Sequence, residues 1–372
     1  MRDLAVRLAA LDNDVTYLTM RHWRTDEPPQ LPGVRVLGLV DAGRVYTSER
    51  RAFGPPLRFG FAVARHLARR GGEYDVVHTA AFPYFPLLAA AAFRRRSGYR
   101  IVVDWHEVWT RPYWRRYAGA LRGTIGWLVQ RACVRVPHEA YVMSQMNAER
   151  LVDEGYRGSV TKLPGLYAGP VRPSLREEVD GSLVVYAGRH VREKRVDALV
   201  RGFARAKQRR GDLRLELYGD GPLRPAVETL VRDARLTDSV RVAGRRSEGE
   251  VAAAIARAAC VATASDREGY GLVVVEAAAR GTPCVVVAGP ENAATELVQE
   301  GVNGAIATDA SPDALADALL RVLDAGRGLR ESTSRWFTAN VERLTLERSL
   351  EVVLAAYAQR PASSRMSAVG SR

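Results

Sequence analysis

The residues with the clearest chemistry are two glutamates that flank a glycine-containing turn. Glu268 and Glu276 stand eight residues apart, after a predicted strand, Cys260–Ala264, and before a predicted helix that ends near Gly281. A carboxylate accepts hydrogen bonds from a pair of sugar hydroxyls with the strength of a charged acceptor. Glycines let backbone N–H groups approach a ligand closely, and a helix N-terminus favours phosphate. The pattern fits a nucleotide sugar, with one carboxylate for the hexose, one for the ribose and a turn for the phosphates, formed by Gly269, Tyr270, Gly271 and Leu272.

A loop with two cations follows the predicted strand Leu183–Ala187. It begins at Gly188 and contains Arg189 and Lys194, which can clamp a diphosphate leaving group from two sides. A solvated basic loop is the simpler alternative. A second glycine turn, Tyr218-Gly219-Asp220-Gly221-Pro222, follows the next predicted strand, and turn chemistry alone explains it equally well.

The elements that must position these loops alternate along the chain. Short β-branched runs separated by helical stretches predict an α/β fold of parallel sheets covered by helices on both faces. The alternation restarts after a proline- and glycine-rich segment, Pro164–Pro173, which is typical of an interdomain linker. We therefore expect a first α/β domain, a second one that carries the motifs, a terminal helical region that packs back on the first domain and a disordered tail: residues 1–168, 169–330, 331–360 and 361–372.

Taken together, these motifs resemble the retaining glycosyltransferases of family 4, which have the GT-B fold of two facing Rossmann-like domains. The family's pattern of two glutamates separated by seven residues is matched by Glu268 and Glu276, and its basic pair by Arg189 and Lys194. The glycine turn with Gly219 and the segment ELVQEGVNGAI match as well, and His106 in VVDWHEVW stands where the family has a strand-end histidine. The resemblance covers nearly the whole chain.

The resemblance implies a role for each of these residues. Arg189 and Lys194 stabilise the charge that develops on the departing nucleoside diphosphate, Glu268 holds donor-sugar hydroxyls and Glu276 holds the ribose. His106 orients the sugar across the cleft, although a packed strand-end histidine is the alternative. The family retains anomeric configuration and is metal-independent, so we expect no metal and no cofactor besides a UDP- or GDP-sugar donor, with a glycan, lipid or small molecule as acceptor.

The net charge of +13 is unevenly distributed. Residues 1–168 hold 25 Lys+Arg and 15 Asp+Glu, a balance of +10, and residues 169–372 hold the remaining 30 and 27, a balance of +3. No aromatic-interleaved basic motif or helix-turn-helix pattern supports nucleic acid as a partner. An anionic membrane surface fits better, and a general bias of the chain toward arginine is the alternative.

Residues 111–135 predict one helix, Tyr113–Arg135, which could lie on an anionic bilayer with its aromatic side chains at the interface. No secretory signal and no apolar run of spanning length is visible, and the three cysteines, Cys133, Cys260 and Cys284, are scattered. This pattern favours a cytoplasmic protein with an optional peripheral position on the inner face of the membrane. The arginines and apolar residues of the segment are Arg111, Arg115, Arg116, Arg122, Arg131, Tyr113, Trp114, Tyr117, Trp127 and Leu128.

The first residues predict a helix, Arg2–Leu11, followed by a turn and the strand Val15–Met20. A parallel α/β domain normally opens with a strand and a tight loop before its first helix. We therefore expect the first strand of this domain to be absent, the coding region to begin further upstream, and the stated chain to lose cooperativity in its first domain while residues 169–330 still fold.

Two rival functions remain open from the sequence. A nucleotide-sugar epimerase shares the two-domain fold but has no need of the paired glutamates. A non-catalytic or impaired protein that binds sugar nucleotides, or a partner, is the second. A dinucleotide oxidoreductase is disfavoured because no G-x-G-x-x-G follows a predicted strand.

Overall fold

The computed structural model describes residues 1–23, 27–43, 46–47, 50–51, 54–171 and 178–358. The chain divides into two compact units, one of Met1–Leu163 with Ser349–Arg372 and one of Pro164–Arg348. Each unit is an α/β structure built on parallel strands. The predicted tail, residues 361–372, lies outside the described residues.

The first unit begins with a helix and then alternates strands and helices. Its strands are β1 (Val15–Arg21), β2 (Val34–Asp41), β3 (Tyr46–Thr47), β4 (Arg50–Arg51), β5 (Val76–Ala80), β6 (Arg100–Trp105), β7 (Glu139–Val142) and β8 (Val160–Lys162). Its helices are α1 (Arg2–Ala9), α2 (Gly54–Arg70), α3 (Phe85–Ser97), α4 (Arg111–Ala118), α5 (Ala120–Val134) and α6 (Gln145–Asp153), with a 3-10 turn at Gly71–Glu73.

The parallel strands of the first unit form two separate sheets rather than one. β1 pairs with β2, and β5, β6, β7 and β8 form a four-stranded sheet in that order. A groove between the two sheets is lined by Thr16–Met20 of β1 and by Val76–Ala80 of β5. These two strands therefore face each other across the groove as sheet edges.

We expect the amides of β1 to exchange with solvent on the order of tenfold faster, or more, than those of β6. A strand paired on one side only opens at a lower free energy than a central strand, whose amides and carbonyls are paired on both sides. Hydrogen exchange followed by mass spectrometry measures both strands in one sample. Equal protection of β1 and β6 would mean that the two sheets open as one cooperative unit.

One predicted helix of this unit is wrong in its extent. The sequence predicted a single helix over Tyr113–Arg135, whereas the chain breaks between α4 and α5 at Gly119, whose φ is 87°. A glycine tolerates this backbone conformation, and a residue with a side chain rarely does. The break allows α4 to fold against α5 and to bury Tyr113 and Trp114 in the core of the unit.

The second unit is a single six-stranded parallel sheet. Its strands are β9 (Asp180–Ala187), β10 (Arg214–Tyr218), β11 (Val240–Gly244), β12 (Ala258–Ala262), β13 (Cys284–Val287) and β14 (Gly304–Ala307). Its helices are α7 (Val196–Arg209), α8 (Arg224–Asp233), α9 (Glu248–Arg257), α10 (Leu272–Ala278) and α11 (Pro312–Leu344), with 3-10 turns at Arg192–Lys194 and Ala293–Leu297. The core between sheet and helices includes Tyr186, Phe203 and Leu319.

The order of the strands in this sheet determines where a ligand can bind. It reads β11-β10-β9-β12-β13-β14, so the chain builds outward from β9 in one direction and then from β12 in the other. At such a reversal the loops after the two central strands diverge to opposite sides of the sheet and leave a crevice at the carboxyl edge. The strand order of the second unit therefore places a binding crevice at the loops that follow β9 and β12.

The terminal helical prediction over residues 331–358 corresponds to the second half of α11 and to α12 (Leu346–Ala358). The long helix α11 has a non-helical residue at Gly326, and Phe337 and Leu344 are buried in its second half. From Ser349 onward the chain belongs to the first unit, where the Tyr357 hydroxyl lies 2.6 Å from His78 Nδ1. The last helix thus returns to the first unit, as predicted.

Candidate functional site

The loop after β9 and the glycine turn after β10 pack backbone against backbone. Gly188 N donates to the carbonyl of Tyr218 at 3.0 Å, and His190 N donates to that of Asp220 at 2.9 Å. Gly219 has a φ of 117°, and a Cβ at this position would collide with the carbonyl of Gly188. The close approach of the two loops therefore requires glycine at position 219, and it holds the start of the basic loop in one conformation.

The basic loop continues through a 3-10 turn that ends at Lys194. The Lys194 ammonium forms an ion pair with Oε1 of Glu268, and both side chains are mostly buried. Ser265 Oγ donates to the same carboxylate oxygen at 3.0 Å. The fold thus brings together two predicted site residues that are 74 positions apart in the chain.

A second ion pair fastens the same two loops. The buried Arg267 guanidinium donates to the Glu193 carboxylate at 3.3 Å, and Asp266 N donates to the Glu193 carbonyl at 2.8 Å. Asn292 supports the other side, with its amide donating to the carbonyls of Ser265 at 3.2 Å and Val287 at 2.8 Å. The sequence analysis did not single out these residues, because only their placement around Lys194 and Glu268 makes them informative.

Arg189 and His190 follow Gly188 in the basic loop and differ sharply in environment. Arg189 is exposed, and its carbonyl accepts a hydrogen bond from the Tyr186 hydroxyl at 2.9 Å. The His190 ring is fully buried beside Tyr186, and this burial lowers its pKa, so the ring is neutral at pH 7. The loop therefore offers cations to solvent while a neutral imidazole fills the space beneath it.

The turn between the two glutamates is tightly packed. Glu268 N donates to the carbonyl of Glu291 at 3.0 Å, and Gly269 continues the turn. The Tyr270 side chain is buried, which raises the pKa of its hydroxyl to about 12. Gly271 has a φ of 93°, and a Cβ there would collide with Ala294. Leu272 then begins α10 and is partly exposed.

Glu276 lies on α10, and its environment differs from that of Glu268. It is half-buried, and burial raises the pKa of its carboxyl group, with the Arg280 guanidinium opposing this effect. Within the described part of the chain its carboxylate accepts no hydrogen bond, whereas its carbonyl accepts one from Arg280 at 2.6 Å. A ligand with two hydroxyl groups would satisfy this partly desolvated carboxylate.

His106 belongs to the first unit, and the other predicted site residues belong to the second. It directly follows β6, its side chain is exposed, and its carbonyl accepts a hydrogen bond from Asn147 at 3.3 Å. His78, at an earlier strand end, is instead bound between Asp104 Oδ1 at 2.8 Å and the Tyr357 hydroxyl. Of the two histidines, His106 therefore has the exposed ring, and the ring of His78 is held by its two partners.

The described residues include neither a candidate metal site nor a membrane-spanning helix. No group of three or more His, Cys, Asp or Glu side chains there could hold a metal ion. No helix in that part of the chain is both long enough and apolar enough to span a membrane.

Two family models match the chain, one on each half. The model described as Glycosyltransferase Family 4 matches residues 1–164, and the model described as Glycosyl transferases group 1 matches residues 170–336. The first range contains His106, and the second contains the predicted site residues from Gly188 to Glu276.

Relatives match over most of the chain. A D-inositol 3-phosphate glycosyltransferase of Xylanimonas cellulosilytica is 32% identical over 388 residues, covering 96% of this chain and 90% of the relative. The MMP alpha-(1→4)-mannosyltransferase of Mycolicibacterium hassiacum is 27% identical over 321 residues, covering 83% and 76%.

Solved structures match the fold. A sucrose-phosphate synthase from Thermosynechococcus elongatus superposes with a TM-score of 0.79 at 22% identity, covering 96% of this chain and 92% of that one. Anabaena HepE, solved in complex with UDP-glucose, superposes with a TM-score of 0.70 at 16% identity, covering 93% and 100%. These likenesses show that both units together have the GT-B fold.

Proposed function

This chain belongs to glycosyltransferase family 4 and is a glycosyltransferase, and we propose that it uses a UDP- or GDP-sugar as donor and retains the anomeric configuration of the transferred sugar. The observation that carries the donor assignment is the contact of Lys194 with Glu268 at the carboxyl edge of the second sheet. It places a cation and a carboxylate side by side, as a diphosphate joined to a sugar requires. The HepE complex with UDP-glucose supports a donor of this class.

Glu268 keeps one oxygen for the donor. Its contacts with Lys194 and Ser265 both use Oε1, so Oε2 can accept hydrogen bonds from hydroxyls of the donor sugar. The ion pair and the hydroxyl of Ser265 hold the carboxylate in place before the donor arrives. Such preorganisation reduces the entropy lost on binding.

Lys194 and Arg189 act on the leaving group. As the bond between the anomeric carbon and the diphosphate oxygen breaks, negative charge grows on the nucleoside diphosphate. Lys194 has two further N–H donors besides the one directed at Glu268, and the exposed Arg189 guanidinium begins the same loop. Charges fixed in place before the reaction stabilise this transition state without reorganisation.

Glu276 is proposed to bind the ribose. Its half-buried carboxylate gains two charge-assisted hydrogen bonds from a cis-diol, which offset its desolvation. The orientation of the donor sugar by His106 remains a prediction, as does catalysis without a metal ion. The acceptor is a hydroxyl-bearing glycan, lipid or small molecule.

The donor is tested by thermal denaturation in the presence of UDP-, GDP- and ADP-linked glucose and mannose. A donor at 100 times its Kd stabilises the folded protein by about 2.7 kcal/mol, which is readily seen as a rise in Tm. We expect a UDP- or GDP-sugar to stabilise the protein most. Stabilisation by ADP-sugars alone, or by none of the six, would contradict the proposed donor.

The reaction is tested by product analysis with the donor so identified and a panel of acceptors. Retention predicts a glycoside whose anomeric configuration equals that of the donor. The one-bond coupling constant between the anomeric carbon and its proton measures this configuration. An inverted glycoside would refute retention. Conversion of the donor sugar into another free nucleotide sugar would support an epimerase instead.

A further inference from the structure

Helix α5 of the first unit carries an exposed apolar stripe. Leu121, Ile125 and Leu128 are 75%, 53% and 53% exposed, and their spacing places them on one face of the helix. Of the four aromatic residues that the sequence placed at a membrane interface, Tyr113 and Trp114 are buried and Tyr117 and Trp127 are half-buried. The most exposed large apolar side chains of α4 and α5 are therefore aliphatic.

Arginines outnumber acids along α4 and α5. Residues 108–138 contain six arginines and neither aspartate nor glutamate. Five of the six are exposed, namely Arg111, Arg115, Arg116, Arg122 and Arg135. Glu154, directly after α6, is an acid that reaches this segment, where it accepts a hydrogen bond from Trp127 Nε1 at 2.9 Å and pairs with Arg131 at 4.0 Å. Arg111 and Arg131 lie over the ring of Trp127 at 5.0 and 4.9 Å, which holds their stems against the surface.

The positive charge continues beyond the C-terminal end of α5. Arg131 and Arg135 line a pocket together with Arg94, Arg100 and Arg157, and Glu139 is the acid in that lining, paired with Arg100 at 3.3 Å. The exposed surface of α4 and α5 therefore combines a narrow aliphatic strip with cations on its flanks and at its end.

We propose that α4 and α5 bind the surface of an anionic lipid bilayer, with Leu121, Ile125 and Leu128 inserted among the lipids and the arginines at the headgroups. A protein partner fits less well, because three side chains on one helix fall far short of the roughly 1,200 Å² that a stable protein interface buries. Shallow insertion needs no such area, since each basic residue near an anionic surface adds its own attraction. This inference concerns where the enzyme works and stands independently of the donor assignment.

The proposal is tested by sedimentation of the full chain with vesicles. We expect binding to vesicles of phosphatidylglycerol mixed with phosphatidylcholine, weaker binding as NaCl is raised from about 0.1 to 1 M because the Debye length falls from about 10 to 3 Å, and little binding to phosphatidylcholine alone. Equal binding to both kinds of vesicle, or binding to neither, would overturn the proposal.

Variants distinguish membrane binding through the apolar stripe from a general effect of surface charge. Ile125→Glu places a carboxylate in the centre of the stripe and is expected to weaken vesicle binding by on the order of tenfold or more, while Arg122→Gln weakens it about fivefold. Val152→Glu on α6 is the matched control, since Val152 is 56% exposed and lies outside residues 108–138. All three positions are exposed, so circular dichroism and Tm should stay near those of the parent. A Val152→Glu variant that loses binding as strongly as Ile125→Glu would refute the assignment to α5.

Discussion

Replacing Lys194 with alanine is expected to lower kcat by on the order of 10²–10³-fold, which corresponds to the loss of one preorganised charge from a transition state. The ammonium is fixed by Glu268, so its position does not have to be organised during the reaction. Arg189→Ala is expected to act in the same direction. Steady-state kinetics with saturating donor measure the change.

Arg192→Ala is the matched control for this prediction. Arg192 is exposed, lies in the same 3-10 turn and has no assigned contact with the donor, so its removal should leave kcat within about twofold of the parent, as a surface charge contributes little. If Lys194→Ala raises KM and leaves kcat unchanged, the lysine binds the ground state only.

Loss of the fold must be distinguished from loss of catalysis in these variants. Removing Lys194 leaves the mostly buried Glu268 carboxylate without its cation, which is strongly destabilising in buried pairs. The double variant Lys194→Met with Glu268→Gln removes both charges and should recover part of the lost Tm. It should not recover kcat, because the leaving-group charge is still unopposed. Recovery of kcat would mean that the pair is structural.

Replacing Glu276 with alanine is expected to raise the KM for the donor more than about tenfold, since each charge-assisted hydrogen bond contributes about 1.5–3 kcal/mol. The carboxylate is half-buried and accepts no hydrogen bond within the described chain, so it is available to a diol. Donor titration at fixed acceptor gives the KM. A KM equal to that of the parent would refute the ribose assignment.

The Glu276→Gln variant shows whether weaker binding results from a damaged fold. Burial raises the pKa of Glu276 in the folded state, so the folded state binds this proton more tightly than the unfolded state does. The stabilisation that comes from protonating Glu276 is therefore present below its pKa in the unfolded state. It is lost as the pH rises through its pKa in the folded state. At pH 7 the charge is unfavourable to folding, so Glu276→Gln should raise Tm while it weakens donor binding.

Glu248→Gln serves as the control for this pair of measurements. Glu248 is the neighbouring acid whose charge also raises the pKa of Glu276, and it is exposed at the start of α9. Its removal should leave the donor KM unchanged. A Glu276→Gln variant with both a lower Tm and a higher KM would indicate that Glu276 supports the fold instead of the ligand.

The strand pattern and the motifs were enough to predict the fold class and the local position of the site. Parallel strands that are buried on both faces have continuous β-branched runs, so β9 and β13 could be predicted without a structure. Loops that follow such strands lie at one edge of the sheet, which together with their charges made Arg189, Glu268 and Glu276 candidates. The resemblance to family 4 was based on the same motifs, and the two family models confirm it.

Which side chains meet and which remain exposed depends on contacts between segments that are far apart in the chain. The contact of Lys194 with Glu268 joins loops 74 residues apart, and it depends on β12 lying beside β9, which spacing along the chain does not encode. The exposure of the apolar stripe on α5 also depends on tertiary contacts. Helical periodicity predicts which apolar residues share a face. The break at Gly119 and the packing of α4 determine that Trp114 is buried and Leu121 is exposed. Burial depends on neighbours that are distant in sequence.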